Sequence, residues 1–354
     1  MSRHALGDVA RFVNGAAFKP GDWEDGGLPI IRIQNLTGTG EKFNYTKRQV
    51  KPELVIEPGD LLVSWSATLD VYRWSGPRGL LNQHIFKVFP NSDIDADYLF
   101  FALKSVLAEL SSKTHGSTMK HVVRGDFEST QIYVPAIQEQ SRIVDLLSRA
   151  EGIVHLRHEA QRKTTELVPA LFLDMFGDPA RNPKGWPARS LLEVFDDITS
   201  RAKKLQKKDY ATHGRFPVIH QGQRENDAFT DDEELVYSGQ LPVIAFGDHT
   251  RIFKLAEMPF VLGADGVRLL LPSGELDASF AYSMLSAIKL PNAGYSRHFK
   301  YLREAQLFLP PIVLQRQFAA KADAIRSIAA QQAIALATAQ ATFDALLHQS
   351  FAVS

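Results

Sequence analysis

The chain has no cysteine among its 354 residues. That removes disulfides, thiolate metal sites and cysteine nucleophiles together. No apolar run approaches the ~18 residues a membrane span needs; Leu61-Leu62-Val63 is cut off by Ser64. The first residues, Met1-Ser2-Arg3-His4-Ala5-Leu6-Gly7-Asp8, contain no apolar signal segment. A cytoplasmic protein without a membrane partner is the expectation. Catalytic signatures are missing too. There is no Gly-x-Gly loop after a strand, no Gly-x-x-x-x-Gly-Lys-Ser/Thr phosphate loop and no Gly-x-Ser-x-Gly elbow. The Asn-Pro-Pro-aromatic and Asp-Pro-Pro-Tyr tetrapeptides of amino-methyltransferases are absent, and Asn182-Pro183-Lys184-Gly185 reads as a linker turn. The expectation is a non-enzyme with no cofactor of its own.

Net charge is also missing, with 40 Lys and Arg against 40 Asp and Glu. Phosphate binding needs concentrated positive charge, so the distribution decides. Ser111 to Gly125 carries Lys113, Lys120 and Arg124 with His115 and His121, and no acid. Arg201, Lys203, Lys204, Lys207 and Lys208 form a second acid-free run, and Lys289, Arg297, Lys300 and Arg303 with His298 a third. Acids gather elsewhere, as in Asp22–Asp25 and Asp231–Glu234. The charge is segregated, and neutrality does not exclude a nucleic acid.

What the chain does have is a repeat, the first thing to seek in a sequence of this length. At one constant offset, Gln131-Ile132-Tyr133-Val134-Pro135-Ala136-Ile137 lies over Gln306-Leu307-Phe308-Leu309-Pro310-Pro311-Ile312. Gln140 then falls over Gln315, and Ala170-Leu171-Phe172 over Ala345-Leu346-Leu347. After each repeat start, apolar residues follow a 4-3 spacing. Phe318, Ala322, Ile325, Ala329, Gln332, Leu336, Ala339, Phe343 and Leu346 form one seam. Ile143, Leu147, Ala150, Val154, Arg157, Gln161, Thr164, Val168 and Leu171 form the other, polar in its middle. The spacing predicts helices over 138–168, ~46 Å long, and 313–349, ~55 Å long. Pro169 is expected to kink or end the first, because its ring clashes with the carbonyl one turn back.

The intervening halves read as compact α+β domains. Leu28–Gln34 and Phe216–Gln221 resemble each other as short strands ending in polar groups. Leu54–Val63 predicts strand, turn, strand, and Leu235–Phe246 the same around Ser238-Gly239. Helices are expected near Asp95–Leu110 and Asp277–Ile288. The domain reading is 1–134, helical spacer 135–180, 181–309 and spacer 310–354. The fold class is α+β, with two similar domains separated by two long antiparallel helices in a pseudo-twofold repeat.

Two diverged domains on a rigid spacer suit a DNA target with two unlike half-sites. The duplicated Pro-x-Ile-x-x-Gln start, Pro135 to Gln140 and Pro310 to Gln315, resembles the specificity subunit of type I restriction–modification systems, as does the variable–helix–variable–helix order. The resemblance implies double-stranded DNA as ligand, with each variable half reading one part of a bipartite sequence. It implies two methylation subunits carrying S-adenosylmethionine and two translocating restriction subunits using ATP and Mg. Leu314, standing where the first copy has Glu139, departs from the repeat.

The loops ahead of the two long helices, Gly116-Ser117-Thr118-Met119-Lys120-His121 and Gly294 to Lys300, carry residue types that suit phosphates and base edges. The expected DNA contacts are Lys113, His115, Ser117, Thr118, Lys120, His121, Arg124, Arg201, Lys203, Lys204, Arg297, His298, Lys300 and Arg303. A solvated basic loop is the alternative for each. Gln34-Asn35 and His220-Gln221 are either base-pairing groups or turn residues. His84, alone in Asn82-Gln83-His84, reads as structural, and no metal is expected. A coiled-coil scaffold, or a decoy recognition subunit without methylation partners, remains the rival reading.

Overall fold

The computed structural model describes residues 3–40, 42–66, 68–113, 124–223, 227–291, 294 and 296–351, without the side chains of 112 and 113. The chain divides into two compact units, Met1–Arg157 with Leu336–Ser354 (unit 1) and His158–Ala335 (unit 2). The segment limits drawn from the sequence follow chain order; these packing units instead break inside the two long helices.

Unit 1 is built on an antiparallel sheet in the order Ala10–Asn14, Ile85–Pro90, Leu61–Ser66 and Thr68–Arg73. Unit 2 repeats that order with Phe195–Asp197, Val267–Pro272, Val243–Gly247 and Phe253–Ala256. Leu61–Ser66 and Val243–Gly247 are central strands, nearly continuous in apolar residues and almost wholly buried. Each unit adds a second small sheet with parallel pairing. In unit 1 Leu28–Ile31 runs parallel to Gly79–Leu81; in unit 2 Phe216–Ile219 and Lys204–Leu205 both run parallel to Val261–Gly263. The sequence expectation of strand, turn, strand holds at Val55–Ile56 and Leu61–Ser66. It fails at Leu235–Phe246, where Glu233–Leu235 is a 3-10 turn and Val236 makes only an isolated bridge to Val261.

The expected domain helices appear as Ala96–Lys113 and Ala278–Ala287. Both start on an aspartate. Asp95 Oδ1 accepts the N–H groups of Asp97 and Tyr98, and Asp277 Oδ1 those of Ser279 and Phe280, which satisfies orphan donors of the first turn.

The long helices span Ile137–Phe176 and Ile312–Phe351, 40 residues each. The first therefore continues through Pro169, which overturns one of the two effects expected of that proline, the ending of the helix, and leaves the kink as the other. The apolar residues beyond the proline supply the reason: Phe172 and Phe176 are buried in the core of unit 2, and that burial offsets one lost backbone hydrogen bond. The heptad seams are real. Every position of the second is buried or half-buried, and in the first only Arg157 is exposed.

Gln140 and Gln315, equivalent in the repeat and each 1% exposed, tie the helix starts to the domains. Gln140 Oε1 accepts the Asp95 N–H at 2.8 Å while its Nε2 donates to Asp93 O and Pro135 O. Gln315 does the same with Asp277 N–H at 2.9 Å, Glu275 O and Pro310 O. The Gln of the Pro-x-Ile-x-x-Gln start is thus a three-point clamp between long helix and domain helix.

Helix ends from one repeat complete the core of the other. The core of unit 1 takes Leu147 of the first long helix together with Phe343, Leu347 and the half-buried Phe351 of the second, and the Phe351 ring lies 5.4 Å from Tyr98. The core of unit 2 takes Phe172 and Phe176 of the first with Phe318 and Ala322 of the second, and Phe176 lies 4.8 Å from Phe280. Within each unit the start of one helix packs with the end of the other, which is antiparallel pairing.

Candidate nucleic-acid interface

In unit 2 three parallel strands end on one side of the small sheet. Leu205 pairs with Gly263 and Ile219 with Leu262, so the residues that follow emerge together. Parallel strands expose ligand-binding loops at their carboxyl ends because the chain must leave the sheet there. His220-Gln221 leaves from one strand and Ala264-Asp265 from the next. Lys207 and Lys208 leave from the third on a 3-10 turn that delivers Tyr210.

The side chains on this edge are interlocked. His220 Nδ1 accepts the Gly222 N–H at 3.1 Å, which places the ring proton on Nε2, facing Asp227 Oδ1 at 2.6 Å. Asp265 Oδ2 accepts the Gln221 N–H at 3.3 Å. A side chain at Gly263 would collide with the Tyr210 hydroxyl and come within 3.1 Å of His220 Cβ and 3.3 Å of Asp265 Oδ1, so glycine lets the edge close. The hydrogen bond from His220 holds the Asp227 carboxyl below its ordinary value. Burial, with Asp265 nearby, pushes the Tyr210 phenol up to about 12. Tyr210 Oη, Gln221 Oε1, Asp265 Oδ1 and Thr250 Oγ1 are buried without a hydrogen-bond partner among the described residues.

The raised Tyr210 value has a measurable consequence. The folded state keeps its proton where the unfolded chain, at an ordinary 10, has lost it. The contribution is intact below pH 10 and disappears as pH rises toward 12. Denaturant midpoints measured from pH 9 to about 11.5 should fall less steeply in Tyr210→Phe than in the parent; equal slopes would count against it.

The helical turn Phe299–Arg303 is fixed beside this edge through Asp248, which is 4% exposed. Asp248 Oδ1 accepts the Phe299 N–H at 2.7 Å, and its backbone oxygen accepts the His298 N–H at 2.9 Å. Asp248 N–H in turn donates to Gly266 O at 3.0 Å, next to Asp265. Arg297, Lys300 and Arg303 are exposed on this support.

Unit 1 places other chemistry at the equivalent edge. Arg32 follows Leu28–Ile31, and Asn82-Gln83-His84 follows Gly79–Leu81, with Asn82 N–H donating to Ile31 O at 3.1 Å. The Arg32 guanidinium lies 4.8 Å over the Trp23 ring. Arg32 Nε, Asn82 Oδ1 and His84 Nδ1 are buried without a partner among the described residues. His84 has φ 73° where unit 2 has Gly266 at φ 89°. The pairing confirms the equivalence: Trp65 N–H reaches His84 O at 3.2 Å as Asp248 N–H reaches Gly266 O at 3.0 Å.

This double strand-end architecture is shared with known proteins. Residues 3–164 match the family model described as the type I restriction modification DNA specificity domain. The first part of this chain is thus similar to a type I DNA specificity domain. Two curated relatives are the MjaVIII and MjaIX type I restriction enzyme specificity subunits of Methanocaldococcus jannaschii. The first is 27% identical over 155 residues, covering 42% of this chain and 35% of that protein. The second is 23% identical over 203 residues, covering 51% and 46%. The chain thus spans less than half the length of the curated relatives it matches. In fold, the chain resembles the S subunit of a type I restriction–modification system from M. genitalium, with TM-score 0.61 and 14% identity over 100% of this chain and 96% of that one. It also resembles a chain from a structure of complex assembly and conformational transition in the type I R-M system. There the TM-score is 0.57 at 18% identity, over 99% and 97%. Both likenesses run over nearly the entire chain, so the fold is shared beyond the residues that the family model matches.

Among the residues singled out in the sequence, His115, Ser117, Thr118, Lys120 and His121 lie outside the described residues, and Lys113 is the last residue of its helix. Arg124 is engaged within unit 1: its Nη2 donates to Phe12 O at 3.0 Å and its Nε to Glu128 at 2.9 Å. His298 is a correction, because it is 1% exposed and its Nδ1 lies 3.0 Å from Asp248 O; it anchors the turn rather than offering a surface donor. Arg201, Lys203 and Lys204 are exposed and form no salt bridge among the described residues. Asn35 is a turn residue, its Oδ1 accepting the Arg32 N–H at 3.0 Å and its Nδ2 donating to Gly40 O. Sequence reading missed Tyr210, Asp227, Asp265 and Arg32. Only strand adjacency brings them together, and adjacency has no local signature.

Proposed function

We propose that this chain is a non-catalytic, cytoplasmic DNA-specificity subunit of a type I restriction–modification complex, with unit 1 and unit 2 each reading one half of an asymmetric, split DNA site. The observation that carries this reading is the duplicated strand edge with unlike chemistry: Arg32 and Asn82 in unit 1, His220, Gln221 and Asp265 in unit 2. A guanidinium on one edge and a carboxylate on the other select different bases, since arginine donates to guanine and acids accept from cytosine. Exposed Lys207, Lys208, Arg297, Lys300 and Arg303 around the unit 2 edge suit backbone phosphates.

Partner subunits would supply the chemistry: two methylation subunits holding S-adenosylmethionine, and two restriction subunits using ATP and Mg. Their docking is supported by apolar side chains on the outside of the long helices. In unit 1 these are Leu146, Ile153 and Leu156, at 45, 53 and 65% exposed; in unit 2 Ile334 is 69% exposed. Large apolar groups left in water on a helix mark protein interfaces.

The test is a methylome map of a host lacking such a system, expressing this chain with its methylation subunit. Methyladenine in one motif of two dissimilar halves around a fixed unread gap is the expected result. A confirmed complex that adds no methylation would replace this reading with a scaffold or decoy.

A further inference from the structure

We propose that the strand edge of unit 2 reads one base pair of its half-site through an exocyclic amino group, with Asp265 Oδ1 and Gln221 Oε1 as the acceptors. The inference rests on the DNA-reading function proposed above.

Both atoms are buried acceptors that no described donor satisfies. Such an atom costs about 1–3 kcal/mol while it stays unpaired, and a folded protein keeps that cost where a ligand supplies the partner. The neighbours do not supply it: the Tyr210 and Thr250 hydroxyls, buried close by, bond to neither atom. His220 Nδ1, 3.9 Å from the second Asp265 oxygen, already accepts the Gly222 N–H and has no proton to give. Gln221 N–H is spent on Asp265 Oδ2. The two oxygens themselves are closed off from solvent, but Asp265 keeps 20% of its side-chain surface and His220 beside it 14%, so an amino group reaches the oxygens once those side chains rotate.

The chemistry narrows the ligand. A carboxylate repels phosphate, so this spot faces bases while Lys207 and Lys208, on the turn beside it, face the backbone. Among base edges in the major groove, donors are the N4 amino group of cytosine and the N6 amino group of adenine. A carboxylate accepts best from cytosine, and a glutamine oxygen from either. The His220–Asp227 pair, at 2.6 Å, holds the wall of the edge.

The experiment uses the complex with its methylation subunit and measures competition binding by duplexes in which each base pair of the methylated motif is exchanged in turn. Asp265→Asn should lower discrimination at one base pair of one half-site about tenfold, with preference at every other position kept. Gln221→Ala should act at that position or the adjacent one. Discrimination unchanged at all positions in both variants would overturn the inference, as would a loss spread evenly over the motif. Were Asp265→Asn to fail to fold, Gln221→Ala, whose side chain is half-exposed, is judged by the same criterion. A parent complex that methylates no split motif would defeat the proposed function and the inference with it, whereas an unaltered pattern in the variants defeats the inference alone.

Discussion

Phe318→Ala is expected to cost unit 2 about 3–5 kcal/mol. Phe318 is fully buried, and its ring lies 5.6 Å from Phe176, 5.7 Å from Phe172 and 6.4 Å from Phe280. Truncation therefore removes a large buried surface and several edge-on ring contacts, each worth about 0.5–1.5 kcal/mol. It also opens a cavity where both long helices and the domain helix meet the core. Domains of this size are typically stable by about 5–15 kcal/mol, so unit 2 should melt well before unit 1. Two resolved unfolding transitions by calorimetry, with only one moved, is the expected record. A single transition lowered by under about 1 kcal/mol would show that the seam does not hold unit 2 together. Phe318→Leu, which keeps most of the volume, should cost less than half as much.

Gln315→Ala is expected to cost about 2–4 kcal/mol, and Gln140→Ala a similar amount in unit 1. Each substitution strands one amide N–H and two carbonyl oxygens in a buried place. Water refilling the space recovers part of the loss. Gln315→Glu should be worse than alanine near neutral pH, because a carboxylate oxygen would then face the Pro310 and Glu275 carbonyls where an amide donor stood. Urea titration of the three variants gives the order; a glutamate better tolerated than alanine would contradict the assigned amide orientation.

These clamps were legible in part. The repeat located both glutamines, because each makes the same three bonds and its spacing from the proline is the same in both copies. The seams were legible for the same reason, since burial along a helix imposes a 4-3 pattern that composition alone cannot hide. The central strands stood out as apolar runs, and Asp95 and Asp277 as helix starts. The fate of Pro169 was not legible. Local chemistry says kink or stop, but Phe172 and Phe176 bind the following turns into a core made by distant residues, and tertiary burial outweighs one missing hydrogen bond. His298 misled for a related reason, as a polar residue in a polar stretch gives no sign that Asp248, fifty positions away, holds it inside.

The strand edge was the least visible part of the chain. Tyr210, His220 and Asp265 share it only because Lys204–Leu205, Phe216–Ile219 and Val261–Gly263 pair in parallel. Parallel pairing joins segments far apart in sequence and leaves no turn signature between them. By itself, the sequence determined that two related halves exist, that each is followed by a long seamed helix, and where each helix begins. Tertiary structure alone decided which core each helix end enters and which polar groups meet at the strand ends. A heptad pattern states that a face must be buried without naming the surface that buries it, and the meeting of strand ends depends on register, which only the folded chain possesses.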